Sequence, residues 1–307
     1  MDIARTLARA DGTVLRYRLW RPGAPRRLLV LLHGLASNVT RWSEFVALTP
    51  LRDTWDILRI DLRGHAGSLD RGRLGMDEWC ADLAAVLAEE TEPGRSSLRP
   101  PTVRAGLADP ATVILVGHCL GANIAAEFAH RGQVKLAGLV LIEPIFAEAL
   151  QGGLRMAAAA RPLVVPAVWV VRLLNALGLH RRRVRPLDLA ALDRKTRAAM
   201  AKSAEDALMA GYASPWADLA STPTAAYLQS LMALSRGLPD LSGVRVPVLA
   251  LLSTGGAFGD PAITERQLAR LPRCRVVRLP ARHWIPTEQP EEMRRAIEAW
   301  CGELAGP

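Results

Sequence analysis

Thr112-Val-Ile-Leu-Val-Gly-His-Cys-Leu-Gly-Ala-Asn-Ile-Ala-Ala-Glu-Phe128 decides how the rest of this chain is read. Val113 to Val116 is an apolar, β-branched run of the kind that forms a buried strand. Gly117-His118-Cys119-Leu120-Gly121 follows without a break, and Ala122 to Ala129 reads as a helix. A strand that passes into a helix over so few residues leaves no space for side chains two positions either side of the turn's centre. Glycine stands at both places. The central side chain, Cys119, is thereby pushed to the tip of the turn on a strained backbone. The next N–H, that of Leu120, lies at a helix N-terminus, where unpaired donors face a developing oxyanion.

Outward from this turn the chain alternates strands and helices. Thr13 to Trp20 alternates polar and apolar residues, which suits an antiparallel edge strand preceded by an Asp11-Gly12 turn. Leu28-Leu-Val-Leu-Leu-His33-Gly34-Leu35 is a buried strand ending in His-Gly, and Trp42 stands in a short helix after it. Trp55 to Ser68 is a strand running into Asp61-Leu-Arg63-Gly-His65-Ala66-Gly-Ser68. Met76 to Glu90 has helical spacing, with Asp77 and Glu78 suiting its N-terminal dipole. Residues 91–111, rich in proline, glycine and arginine, read as a surface loop. Leu136 to Ile142 is a strand with Glu143 at its end, and Val246 to Leu252 is another, followed by the glycine-rich loop 253–259. Pro261 to Leu271 reads as a helix and Cys274 to Leu279 as the last strand. Pro280-Ala-Arg-His283-Trp-Ile-Pro-Thr-Glu-Gln-Pro290 comes next, before a final helix.

Taken together, Gly-His-Cys119-Leu-Gly, the His-Gly after the first buried strand, Asp-x-Arg-Gly-His-Ala-x-Ser and the His283 loop resemble the α/β-hydrolase superfamily. The resemblance is to the subset with cysteine at the nucleophile turn. It implies an α/β fold with a mostly parallel sheet, helices on both faces and an inserted helical cap. The core would be 1–146 and 241–307, and the cap 147–240. In the cap region, alanine- and arginine-rich helices broken by Pro162, Pro166, Pro186, Pro215 and Pro223 replace the strand–helix alternation. Leu163 to Leu174 there is either an acyl-pocket lining or cap core.

The resemblance further implies nucleophile, acid and histidine in that chain order, with Cys119 and His283 in two of the roles. Asp260 is the expected acid, because no other carboxylate lies between 241 and 264; Glu143 is the alternative. The oxyanion donors would be the backbone N–H groups of Leu35 and Leu120. His33 is read as a brace for its loop, His118 as packing behind the turn, and Asp61 and Arg63 as loop-fixing groups. A cysteine nucleophile forms an acyl thioester, reactive toward water, thiols, alcohols and amines. The implied reaction is cofactor-free acyl transfer by a thioesterase or acyltransferase on carrier- or coenzyme A-bound chains. A carboxylester or lactone hydrolase is the alternative, and a non-catalytic ligand-binding relative the second. Cysteine at this position also resembles dienelactone hydrolases, polyhydroxyalkanoate synthases and depolymerases, and chain-releasing thioesterases.

Composition sets bounds on these readings. At 307 residues, with 50% hydrophobic and 22% charged residues, a large α/β domain with an insertion is the natural size. Cys80, Cys119, Cys274 and Cys301 show no metal or disulfide spacing, so a reduced cytoplasm is expected. No apolar run reaches the roughly twenty residues a membrane span needs, and no signal peptide is read at the N-terminus. Neither a metal nor a cofactor motif is present. The net charge of +9 is carried almost wholly by arginine and comes without a nucleic-acid-binding module. A small-molecule acyl substrate is the expected partner. The basic residues 181–185 suit an acidic donor, either a carrier protein or the phosphates of coenzyme A.

Overall fold

The computed structural model describes residues 2–23, 27–91, 113–181, 183–200, 212 and 214–305. The 91–111 loop reading falls, beyond Thr91, outside them. Among the described residues eight strands form a single sheet: β1 (Asp2–Ala8), β2 (Val14–Trp20), β3 (Leu28–Leu32), β4 (Asp56–Ile60), β5 (Val113–His118), β6 (Gly138–Ile142), β7 (Val248–Ser253) and β8 (Cys274–Leu279). Their spatial order is β1-β2-β4-β3-β5-β6-β7-β8. β1 and β2 pair antiparallel, as do β2 and β4; every other neighbour pair is parallel.

The five residues of β3 are all buried, as are those of β4, β5, β6 and β7. A parallel strand covered on both faces needs such uninterrupted apolar sequence, because helical crossovers occupy both sides. Alternate residues of β3 serve opposite layers. Leu28, Val30 and Leu32 pack with Trp79 and Leu83 of α2 (Met76–Thr91) and Phe128 of α3 (Leu120–Arg131). Leu29 and Leu31 pack with Trp42, with Phe45 of α1 (Ser43–Leu48) and with Trp300 of the C-terminal helix (Pro290–Ala305).

The Val14–Trp20 strand is not the sheet's edge. β1 covers it, joined through a turn in which Gly12 has φ 84°. The weak apolar content of Asp2–Ala8 hid this strand: it is an edge strand alternating between half-buried and exposed positions.

Between β6 and β7 lie α4 (Gly152–Ala159), α5 (Arg161–Ala176), α6 (Leu189–Met200), α7 (Pro215–Ser221) and α8 (Thr224–Arg236). Two of the prolines do not break helices. Pro162 occupies the first turn of α5, where an N–H is not needed, and Pro166 lies inside the same helix. Leu163 to Leu174 is neither pocket lining nor core for the most part. Only Val168 is buried, while Leu163, Trp169, Val170, Leu173 and Leu174 are exposed.

Candidate active site

The turn at Cys119 follows from backbone sterics. Cys119 has φ 53° and ψ −112°, outside the helix that starts at Leu120. A Cβ on Gly117 would come within 2.2 Å of the Gly121 carbonyl oxygen, and one on Gly121 within 2.4 Å of the Leu32 carbonyl oxygen. Both clashes are with main chain, which cannot move aside. The Cys119 N–H donates to Ile142 O (2.9 Å), anchoring the turn to β6.

His283 reaches Cys119 from the loop after β8. Its ring and the Cys119 sulfur line the same cavity, and Cys119 acts on the ionisation of the ring. On its other side, Nδ1–H donates to Glu143 Oε2 at 3.1 Å. Burial pulls the His283 pKa down. Cys119 and Glu143 outweigh burial and push it up to about 10. Glu143 is held by the Ser253 N–H, which donates to its other oxygen. The position of Glu143 is set by strand register. His118 pairs with Ile142 across β5 and β6, so Cys119 and Glu143 are the next residues on adjacent strands.

Around this trio His118 and His33 act as braces. His118 Nε2–H donates to the His283 carbonyl oxygen (3.2 Å). His33 Nδ1–H donates to Gly34 O (2.8 Å), and its Nε2 accepts from the Leu62 N–H (3.0 Å). Burial holds both rings well below the usual imidazole pKa, and they stay neutral. Asp61 accepts from the N–H groups of Val39 and Gly67. Arg63 forks onto both oxygens of Asp82 at 2.7 Å. Ala66, where the family pattern carries glycine, adopts the left-handed backbone with φ 39°.

Above Cys119 and His283 lies a cavity of about 590 Å³, lined on the core side by Leu35 and Phe258 and on the helical side by Leu154, Leu192, Leu231 and Leu234. Residues 29–296 match the sequence model of the alpha/beta hydrolase family. The chain belongs to that family. Among curated proteins this α/β hydrolase is similar to protein phosphatase methylesterase 1 of Bos taurus, 28% identical over 130 residues, 42% of this chain and 31% of that one. It is also similar to the dihydrolipoyllysine-residue acetyltransferase component of the acetoin cleaving system of Cupriavidus necator, 25% identical over 153 residues, 50% of this chain and 36% of the relative. The matched region thus spans about a third of each relative's own length. Its fold is similar to that of a hydrolase from Pseudomonas aeruginosa, with TM-score 0.65 and 20% identity over 97% of this chain and 98% of that one. An enol-lactonase from Burkholderia xenovorans gives TM-score 0.63 and 17% identity over 96% and 99%. At those identities the likeness is one of fold.

In this α/β hydrolase the expectation for Asp260 is corrected. Its side chain caps the helix Pro261–Leu268, accepting from the N–H groups of Ala262 (2.9 Å) and Ile263 (3.0 Å), and makes no bond to His283. The glycine-rich loop carries it past the site, and the carboxylate on His283 is that of Glu143. Leu35 lines the cavity beside Cys119, and Leu120 is the first residue of α3.

Two supporting groups escaped the sequence reading. Glu288 accepts from the N–H groups of Arg282, His283 and Trp284 and so shapes the histidine loop. Phe258 packs edge-on against the His283 ring at a centroid distance of 4.7 Å. An acid five residues after the histidine, closing its own loop, was the available signal for Glu288. Among the described residues, no three His, Cys, Asp or Glu side chains converge as a metal site.

Proposed function

We propose that this α/β hydrolase is an acyl hydrolase that cleaves esters or thioesters of apolar acyl groups through a covalent acyl thioester on Cys119. The observation that carries this reading is a buried imidazole that shares the floor of an apolar cavity with Cys119 and is bonded on its other side to a carboxylate. In this reading His283 is the acid–base group and Glu143 its orienting acid.

With its proton passed to His283, the sulfur of Cys119 attacks the acyl carbonyl carbon. The carbonyl oxygen becomes an oxyanion facing the N–H groups of Leu35 and Leu120. The tetrahedral species collapses: the C–O or C–S bond to the leaving group breaks, and His283 supplies its proton to the departing oxygen or sulfur. Water then attacks the thioester while His283 takes a proton from it. The carboxylic acid leaves and the Cys119 sulfur is restored. Glu143 keeps Nδ1 protonated and the ring oriented throughout.

Intact-mass spectrometry during turnover of an octanoyl thioester tests this. The acyl group should appear on Cys119, and Cys119→Ala should lack the adduct and lose turnover by about 10³-fold or more. Iodoacetamide should label Cys119 first. Burial pushes Cys80 and Cys301 up to about 12 and Cys274 up to about 11, which keeps those three as thiols. Full activity in Cys119→Ala overturns the mechanism.

A further inference from the structure

The surface of α5, in the helical segment between β6 and β7, is turned inside out. A helix on a globular surface normally buries its apolar stripe and shows charge to water. On α5 the outward stripe is Leu163, Val170 and Leu173, continued by Leu177 beyond its end, with Trp169 beside it. Leu163 is 76% exposed and Trp169 65%. Trp216 on α7 is 82% exposed. Scattered exposed leucines are ordinary, but an outward apolar stripe along a whole helix with a tryptophan beside it, and a second bare tryptophan on α7, is not.

This face adjoins the cavity. Met156 of α4 and Pro215 of α7 line the cavity, yet Met156 is 69% exposed and Pro215 precedes Trp216. Along the sequence the segment that carries α4 and α5 is one-sided in charge, although Asp70 of the core lines the same groove as Trp169 and Leu173. Between Glu148 and Asp188 the chain has seven arginines and no carboxylate. Arg155, Arg161, Arg183 and Arg185 among them are exposed.

We propose that α4, α5 and α7 form a membrane-binding face that lies on an anionic lipid bilayer and opens the cavity toward it. Apolar residues and tryptophans with arginines around them match the layering of acyl chains beneath anionic headgroups. Among the described residues no single helix is long and apolar enough to cross a membrane, and the one helix pair there that passes by composition, α4 and α5, is bent by 78°. A second copy of the chain is a poor occupant, since it would oppose one arginine-rich face to another. The substrate class that follows, long-chain esters drawn from the bilayer, rests on the acyl-hydrolase reading; the binding face does not.

The test uses full-length Cys119→Ala protein, which binds without turning over, co-sedimented with vesicles of phosphatidylcholine alone or mixed with phosphatidylglycerol. Binding to the anionic vesicles should be at least about ten-fold tighter, since each basic residue near such a surface contributes about five-fold. Arg183→Glu with Arg185→Glu should remove that preference. Leu173→Ser with Leu177→Ser, made with Cys119 intact, should abolish sedimentation while hydrolysis of a short soluble ester is unchanged. Hydrolysis of a long-chain ester held in the vesicles should fall at least about ten-fold. Absence of sedimentation, or equal binding to both vesicles, overturns the proposal. So does a dimer in solution that the leucine substitutions disperse. So, too, does salt-sensitive turnover of a carrier-bound thioester without vesicle binding. If binding holds but no ester is turned over, the acyl-hydrolase reading fails and the membrane face stands.

Discussion

Glu143 turns into the left-handed backbone region, φ 53°, one residue beyond β6. For a residue with a Cβ this conformation costs about 1–2 kcal/mol. The bonds that hold the carboxylate between the Ser253 N–H and His283 offset it. Glu143→Gln should lower kcat/KM by about 10²- to 10⁴-fold, whereas Asp260→Ala should cost about 1 kcal/mol of stability as a lost helix cap and leave catalysis nearly unchanged. Steady-state kinetics and urea unfolding of the two variants separate these outcomes. The reverse result would return the acid's role to the later loop. A pH series gives a second readout. Because the folded His283 pKa is raised to about 10, the fold favours its protonated form. That stabilisation is complete below the ordinary value of 6.5 and fades as pH rises through about 10. Glu143→Gln should move the alkaline limb of both activity and stability to lower pH.

The strand–turn–helix around Cys119 is an element in which sequence and geometry are nearly the same statement. Gly117 and Gly121 face main-chain atoms that a Cβ would overlap. Gly132 closes α3 at φ 62° with nothing within 4 Å of the position its Cβ would take. Gly121→Ala should therefore cost at least about 3 kcal/mol, and Gly132→Ala only about 1–2 kcal/mol from its left-handed backbone. Thermal unfolding of the two variants tests the contrast, and equal losses would mean that the turn relaxes around an added methyl. α5 shows the opposite relation. Its composition reads as core, but only its docking determines that the Val168 side is buried and the Leu163–Leu173 side faces outward.

At the scale of the molecule, one buried cluster ties the helical segment to the core. Arg41, just beyond the loop after β3, donates to both oxygens of Asp193 on α6, at 2.6 and 2.7 Å, and to Thr287 in the turn after His283. Its guanidinium also bonds the Tyr212 hydroxyl. Asp193→Ala leaves Arg41 buried without its counter-charge and should lose about 3–5 kcal/mol. Arg41→Met combined with Asp193→Leu should restore most of it, read as the urea midpoint. A small loss in the single variant would show that water enters the cluster and screens the arginine.

The chain by itself determined what depends on neighbours in sequence. Gly-His-Cys119-Leu-Gly defines a tight turn because its clashes are local, and the buried strands are legible because a strand covered on both faces has no polar side to show. The loop carrying His283 was legible through its resemblance to the family's. The partner of His283 was not. Asp260 and Glu143 are both acids after strands, and only the pairing of β5 with β6 sets Glu143 beside Cys119 while Asp260 is spent on a helix cap. The outward face of α5 and the contact of Arg41 with Asp193, 152 residues away, also belong to tertiary structure. Apolar periodicity says which residues share a side of a helix, and only packing decides whether that side meets protein or solvent.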